Sequence, residues 1–202
     1  MFPVYTESPI YIESIRVEGG RIHHLDYHQQ RVDRVASLSL HEVCASLVLP
    51  PEGCYKLRLT YSPSAVLDVS LTPYVPRRVT TLRLVVDDTI EYATKRADRS
   101  ALNRLHDLRG DCDDVLIVRN GFLTDTSYCN LLLGDGSEWV TPDTPLLPGT
   151  CRARLIAEGL VRPLSLRPAD LSRYPYFLLV NALLDFNPDR KQRIEGIIGE
   201  GR

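Results

Sequence analysis

Much of what is common in protein sequences is missing from this chain, and each absence narrows its chemistry. Its five cysteines (Cys44, Cys54, Cys112, Cys129 and Cys151) are an odd number, widely spread and without a C-x-x-C pair. That spacing argues against a disulfide framework or a zinc site, so no metal is expected, and it favours a reducing compartment. No stretch approaches the length of a membrane span. The N-terminus, M-F-P-V-Y-T-E-S, has no basic region followed by an apolar run, so no signal peptide is expected and a cytoplasmic location follows by default. A net charge of −2 creates no field that would draw nucleic acid or an anionic membrane. There is no G-x-G-x-x-G and no G-x-x-x-x-G-K, which removes the common nucleotide folds. No G-x-S-x-G frames Ser62, Ser64 or Ser100, so a serine hydrolase is not indicated. Internal repeats and low-complexity tracts are also lacking.

What remains is an ordinary soluble composition, 44% hydrophobic and 25% charged, in 202 residues. That length suits one large domain or two small ones. Tyr11 to Glu18 carries Ile12, Ile15 and Val17 and runs into Gly19-Gly20, a hairpin signal, with Arg21 to Leu25 as the returning strand. Tyr27, Val32, Val35 and Leu38 then recur at helical spacing, with Asp26 as N-cap. Tyr55 to Tyr61 alternates as a half-buried strand should, and Val66 to Thr72 reads as its partner. The prolines of Pro73-Tyr74-Val75-Pro76-Arg77-Arg78 mark a linker. Three units follow: an N-terminal domain over 1–73, a linker over 74–78 and a C-terminal domain over 79–202. In the last, Thr81 to Val86 reads as a strand and Ser100 to Leu108 as a helix. Asp114 to Arg119 and Phe122 to Thr124 flank Asn120-Gly121. Asn130 to Leu133 and Glu138 to Thr141 repeat that pattern, and Thr150 to Glu158 is a helix stopped by Gly159. Phe177 to Val180 is a short apolar strand. From Asn187 the charged, glycine-dotted tail is expected to fray.

Few residues stand out as chemical. The lysines are Lys56, on an alternating strand, Lys191, in the charged tail, and Lys95 in T-K-R-A-D-R. Like-charge repulsion from Arg96 should lower the pKa of Lys95 and suit it to act as nucleophile or base; a solvated surface lysine is the plain alternative. Asp125 ends a hairpin strand. It can be a turn residue with Thr126 and Ser127 as local partners, or the carboxylate partner of a pyridinium nitrogen. Pro148-Gly149-Thr150-Cys151-Arg152 opens a helix: Gly149 permits close backbone approach, Thr150 can N-cap, and the first-turn N–H groups can hold an anion. An ordinary capped helix start has the same letters. His28 and Arg31 share a helix face. Arg31 can fork onto a phosphate, or pair at the surface with Asp33 or Glu18. His23, His24, His41 and His106 read as structural. Basic residues gather at Arg96, Arg99, Arg104 and Arg109, where an anion site should be sought.

Lysine, then acid, then a glycine-led cradle is the order in which one class of pyridoxal phosphate (PLP) enzymes grips its cofactor. From about Tyr11 to Asn187 the sequence resembles the class IV aminotransferases, the fold-type IV PLP enzymes. E-S-I-R-V-E-G-G-R-I with Y-H-Q-Q-R, K-R-A-D-R, D-D-V-L-I-V-R-N-G-F-L-T-D-T-S-Y-C-N and W-V-T-P-D-T-P-L-L-P-G-T-C-R-A-R-L-I carry the likeness. The resemblance implies an α+β fold, a small N-terminal α/β domain and a larger C-terminal domain with a barrel-like sheet, assembled as a homodimer. It implies Lys95 as Schiff-base lysine and proton shuttle, and Asp125, where the family usually has glutamate, at the pyridine nitrogen. Arg31, Gly149 and the amides of Thr150 and Cys151 would hold the phosphate. Asn130 matches the asparagine that ends the motif. Asn181 and Ala182 match a substrate-side loop, and Arg96 and Arg99 could meet substrate carboxylates, though a solvated helix face would also explain those arginines. Two departures are a short chain and Ser100 where aminotransferases of this class often place a cofactor-contacting tyrosine. Both favour a lyase that converts 4-amino-4-deoxychorismate into 4-aminobenzoate and pyruvate, a small-molecule reaction of folate biosynthesis. An aminotransferase acting on a small amino acid and a 2-oxo acid is the alternative, and a cofactor-free binding protein on the same fold is the third reading.

Overall fold

The computed structural model describes residues 8–199. The first seven residues, read above for an export signal, and residues 200–202 lie outside the described part. The chain forms two compact units: residues 8–75 together with Thr94–Asp98, and residues 76–93 together with the chain from Arg99 onward. It leaves the first unit between Val75 and Pro76, inside the proline-rich segment. The excursion back at Thr94–Asp98 has no counterpart in the single sequence boundary, and it places Lys95 in the first unit.

In the first unit β1 (Tyr11–Glu18) and β2 (Arg21–Ile22) form a hairpin, and α1 (Leu25–Val32), α2 (Leu40–Ala45), β3 (Cys54–Tyr61) and β4 (Val66–Pro73) follow. The sheet is antiparallel in the order β2-β1-β3-β4. Gly19 and Gly20 turn the first hairpin with φ of 56° and 70°, a region that glycine enters without a Cβ penalty. The odd residues of β1 line one face, and Tyr11, Ile15 and Val17 pack there with Val32, Leu40, Leu57, Leu59 and Tyr61. Each of the leucines fully buried in this way contributes roughly 1.5–3 kcal/mol of apolar transfer. β2 covers only the last two residues of β1, so the remaining edge needs partners. Thr94–Asp98 supplies them: Ile12 N–H donates to the Lys95 carbonyl at 3.0 Å and Ala97 N–H to the Ile10 carbonyl at 2.8 Å.

Two local expectations fail here. Asp26 lies inside the first turn of α1, and the N-cap position belongs to His24, whose backbone is left-handed at φ 54° with no side-chain cap. The helix also ends at Val32, so Val35 and Leu38 lie beyond it. A separate α2 follows, whose Ser39 cap accepts from Glu42 N–H at 3.2 Å.

The second unit contains β5 (Leu82–Val86), α3 (Ser100–His106), β6 (Asp114–Arg119), β7 (Phe122–Thr126), β8 (Asn130–Gly134), β9 (Trp139–Pro142), α4 (Thr150–Ala157), β10 (Arg162–Leu164), β11 (Tyr176–Val180), β12 (Gln192–Arg193) and β13 (Ile197–Ile198). Its sheet runs β10-β9-β8-β7-β6-β5-β13, with β11 pairing both β8 and β12. β8 is buried on both faces. Leu131 and Leu133 pack with Leu116, Leu123 and Phe177, and Leu132 packs with Leu155 of α4, Trp139 and Val180. β7 and β8 pair through a single register position, Asp125 with Asn130, which sets these two polar side chains side by side.

The tail from Asn187 is not frayed through residue 199. Asn187 caps a short 3-10 turn by accepting from Asp189 N–H at 3.0 Å. Gln192 and Arg193 then pair with β11, and Ile197 and Ile198 add a parallel strand beside β5. The cause is apolar: Ile194 and Ile197 pack on the core of the second unit, which outweighs the charge of the segment.

Candidate active site

Lys95 is held in the first unit by its own backbone, on the edge of β1 at the Tyr11–Glu13 end. Arg96 bridges to Tyr11 through the backbone and is solvent-exposed. On the core face of β1 a carboxylate interrupts the apolar stripe. Glu13 is wholly buried; Arg31 donates to it from Nε at 2.7 Å and from Nη2 at 2.5 Å, and His28 Nδ1 lies 2.6 Å away. Arg31 therefore pairs with neither Asp33 nor Glu18. Those two acids are taken by Gln29 and Arg16, at 2.6 Å and 2.7 Å. Burial by itself would push the Glu13 carboxyl up, but Arg31 and His28 more than reverse this and hold it at about 2. One buried carboxylate can balance one cation. Burial accordingly drives the His28 pKa down despite Glu13, leaving a neutral ring whose Nδ1–H donates to the carboxylate.

In the second unit Asp125 and the start of α4 form one hydrogen-bonded assembly. Asn130 Nδ2 donates to Asp125 Oδ1 at 2.7 Å and to the Leu147 carbonyl at 3.0 Å, while Leu147 N–H donates to Asp125 Oδ2 at 2.8 Å. Burial raises the Asp125 carboxyl to about 6, against the opposing pull of the Leu147 N–H, Asn130 and the more distant Arg152. Arg152, which the sequence reading passed over, is itself buried and donates to the Pro142 carbonyl at 2.8 Å and to Thr141 Oγ1 at 3.3 Å.

A folded-state pKa above the unfolded value makes a carboxyl stabilise the fold only while protonated. The Asp125 contribution is full below about pH 4 and is lost as pH rises through about 6. The span from 3.8 to about 6 corresponds to on the order of 3 kcal/mol. In cofactor-free protein, Asp125→Asn should abolish this loss, and urea unfolding at pH 4.5 and pH 7 would read it. A variant with the wild-type slope would show that Asp125 does not titrate as described.

Gly149 occupies the N-cap position of α4, and Thr150, expected there, is the first helical residue. Thr150 Oγ1 is buried and has no hydrogen-bond partner. The glycine is required by close approach: a Cβ on Gly149 would stand 2.0 Å from Asn130 Oδ1. Gly149→Ala should displace Asn130 from Asp125 and reduce stability by about 1–3 kcal/mol. Urea unfolding would register this, and an unchanged value would refute the contact. The Cys151 side chain points elsewhere. Its thiol is 3.5 Å from Asp185, which also pairs with Arg154, and burial pushes it up to about 12, so the thiol is committed within the second unit.

Asn181 and Ala182 belong to a tight turn after β11, where Asn181 Oδ1 accepts from Leu183 N–H at 2.9 Å and Leu184 N–H at 2.8 Å. Arg99 stands at the N-cap of α3 and donates from Nη2 to the Ser127 carbonyl at 2.7 Å. Among the described residues no group of three or more His, Cys, Asp or Glu side chains could hold a metal ion, and no helix is long and apolar enough to cross a membrane.

A profile of the Amino-transferase class IV family matches residues 69–188, more than half of the chain. The chain belongs to the class IV aminotransferase family. This class IV enzyme is also 30% identical over 193 residues to an uncharacterized protein of Haemophilus influenzae, covering 91% of this chain and 98% of the relative. The crystal structure of a candidate 4-amino-4-deoxychorismate lyase from Haemophilus somnus superimposes with a TM-score of 0.83 at 29% identity, over 90% of this chain and 100% of the other. A hypothetical aminotransferase from Mycobacterium tuberculosis in its PLP-bound form shares the fold, with a TM-score of 0.71 at 18% identity over 100% of this chain and 87% of that one. The class IV family is PLP-dependent, and its α+β architecture is that of the present chain.

Proposed function

We propose that the chain is a PLP-dependent 4-amino-4-deoxychorismate lyase, releasing 4-aminobenzoate and pyruvate, and working as a cytoplasmic homodimer. The observation that carries this reading is the likeness, over 90% of this chain, to the Haemophilus somnus candidate lyase. Ser100 supports it, because it opens α3 at the position where aminotransferases of this class often place a tyrosine.

The side chains fit the cofactor. Thr150 Oγ1 is a buried polar atom without a partner at the N-terminus of α4, where first-turn N–H groups lack intrahelical acceptors. In this reading it binds the phosphate together with the Thr150 and Cys151 amides, and Arg31 adds a guanidinium. When bound, PLP supplies an electron sink beside the carbon that bears the substrate amine. Lys95 Nζ would hold the cofactor by its aldehyde carbon and would serve as the base for the proton on the carbon that bears the substrate amine. Asp125 would hold the proton at the pyridine nitrogen. A carboxyl raised to about 6 by burial gains most from a cationic neighbour, since an adjacent positive charge restores its ionised form. Asn130 and the Leu147 N–H fix its two oxygens in place.

An aminotransferase would use the same residues but requires a 2-oxo acid acceptor. The test is release of 4-aminobenzoate from 4-amino-4-deoxychorismate with no 2-oxo acid present. Release under those conditions is expected; turnover that appears only with an added 2-oxo acid would replace the lyase by the aminotransferase.

A further inference from the structure

The turn that joins Asp125 on β7 to Asn130 on β8 is gripped from three separate segments of the second unit. From the α3 N-terminus, Arg99 donates to the Ser127 carbonyl at 2.7 Å. From the turn after β11, Asn181 Nδ2 reaches the Tyr128 carbonyl at 3.4 Å and Cys129 Sγ at 3.2 Å. From beneath, Ser127 Oγ donates to buried Asp114 at 2.6 Å, and Thr126 Oγ1 accepts from the N–H groups of Tyr128 and Cys129 at 3.3 and 3.0 Å. On this fixed turn Tyr128 remains 59% exposed, although the Arg99 guanidinium lies 4.3 Å from its ring centroid. Tyr92 lies 5.9 Å from the same guanidinium, and the His106 ring meets Tyr128 edge-on at 6.3 Å. A rigid, open aromatic ring backed by a cation is poorly explained by packing, because most of its apolar surface stays in water.

We propose that Tyr128 and Arg99 form the specificity clamp for a planar, unsaturated ring bearing a carboxylate, with the ring packed against the exposed edge of Tyr128 and its carboxylate paired with the Arg99 fork, which lies over one face of Tyr128. The planar guanidinium suits this, since Nη2 is committed to Ser127 and the fork carries further N–H donors. Holding both groups before ligand arrives removes the ordering penalty that mobile side chains would incur. The inference deepens the lyase reading and rests on it for the substrate class.

Full-length, PLP-loaded protein titrated calorimetrically with 4-aminobenzoate and with its uncharged analogue 4-aminobenzamide provides the test. Wild type should bind the acid at least about tenfold more tightly than the amide, as a charge-assisted contact implies. Arg99→Gln should erase that preference and Arg99→Lys should keep part of it. Tyr128→Leu should weaken both ligands about fivefold. The absorption of the bound cofactor should be unchanged in all three variants. An acid preference that survives Arg99→Gln, or is absent from wild type, overturns the clamp. Loss of cofactor absorption together with equal weakening of both ligands also overturns it, because Arg99 would then only support the turn. An Arg99-dependent acid preference in a protein that releases no 4-aminobenzoate would retain the clamp and reject the lyase.

Discussion

Lys95→Ala should eliminate the absorption band of the lysine-bound cofactor and lower turnover by at least about 10²–10⁴-fold, the range for loss of a general base. The segment that carries this lysine explains why so large an effect should come with little loss of fold. The Lys95 carbonyl accepts from Ile12 of β1 and the Ala97 N–H donates to Ile10 just before it, so truncating the Lys95 side chain leaves these backbone bonds of Thr94–Asp98 intact. Urea unfolding of Lys95→Ala should remain a single cooperative transition, with any stability change within the range of about 0.5–3 kcal/mol usual for point substitutions. Lys95→Arg separates charge from chemistry: it keeps a cation at the site but cannot bond the cofactor aldehyde, and it should be as inactive as the alanine variant. Spectra of the PLP-loaded proteins, read beside product release, decide the matter. A band that survives in Lys95→Ala would move the covalent role to Lys56 or Lys191 and reject the assignment of Lys95.

The parts of this molecule that could be read from its sequence are those governed by local rules. β1, Tyr11–Glu18, and β6, Asp114–Arg119, have the expected ends because turn residues stop them: Gly19-Gly20 for the first, Asn120-Gly121 for the second. α4 starts at Thr150 as expected because proline and glycine precede it, although which residue caps depends on backbone geometry that the letters do not reveal. The failures involve tertiary partners. A lone extended stretch such as Thr94–Asp98 has no periodicity of its own, and only the open edge of β1 gives it a place. The tail is charged enough to suggest fraying, yet its isoleucines find a core edge to cover. Lys95, Asp125 and the Gly149-Thr150 turn were singled out through their order, while the buried Glu13 and Arg152 were not. For Glu13 a signal did exist. In strict alternation Tyr11, Glu13, Ile15 and Val17 share a face, so a carboxylate in that row must be buried with a cation. Grouping Ile12 with Ile15 and Val17 mixed the two faces and hid it. For Arg152 no such signal exists, since its partners are Thr141 Oγ1 and the backbone carbonyl of Pro142.

The buried carboxylate leads to the largest expected effect on stability. Glu13→Gln preserves the side-chain shape but leaves the Arg31 guanidinium, mostly buried, without its counter-charge. Breaking a buried pair in this way typically destabilises by about 3–5 kcal/mol. A Glu13→Leu, Arg31→Met double variant should be less destabilised than Glu13→Gln, because it removes both charges and fills the space with apolar atoms. The pH dependence has a definite sign. The Glu13 pKa is depressed from 4.5 to about 2, so its contribution is complete above 4.5 and disappears as pH falls towards 2. The His28 pKa is also depressed from 6.5, so the fold favours the neutral ring and loses that contribution as pH falls below 6.5. Wild type should therefore lose stability in two acid steps, and Glu13→Gln should lack the lower one while retaining the step due to His28. Asp125 acts in the opposite sense between about pH 4 and 6, so Asp125→Asn is the appropriate background for the comparison. Urea unfolding from pH 7 down to pH 3 measures all three groups. If Glu13→Gln matched wild type at pH 7, the charge pair would be too weakly coupled to organise Arg31.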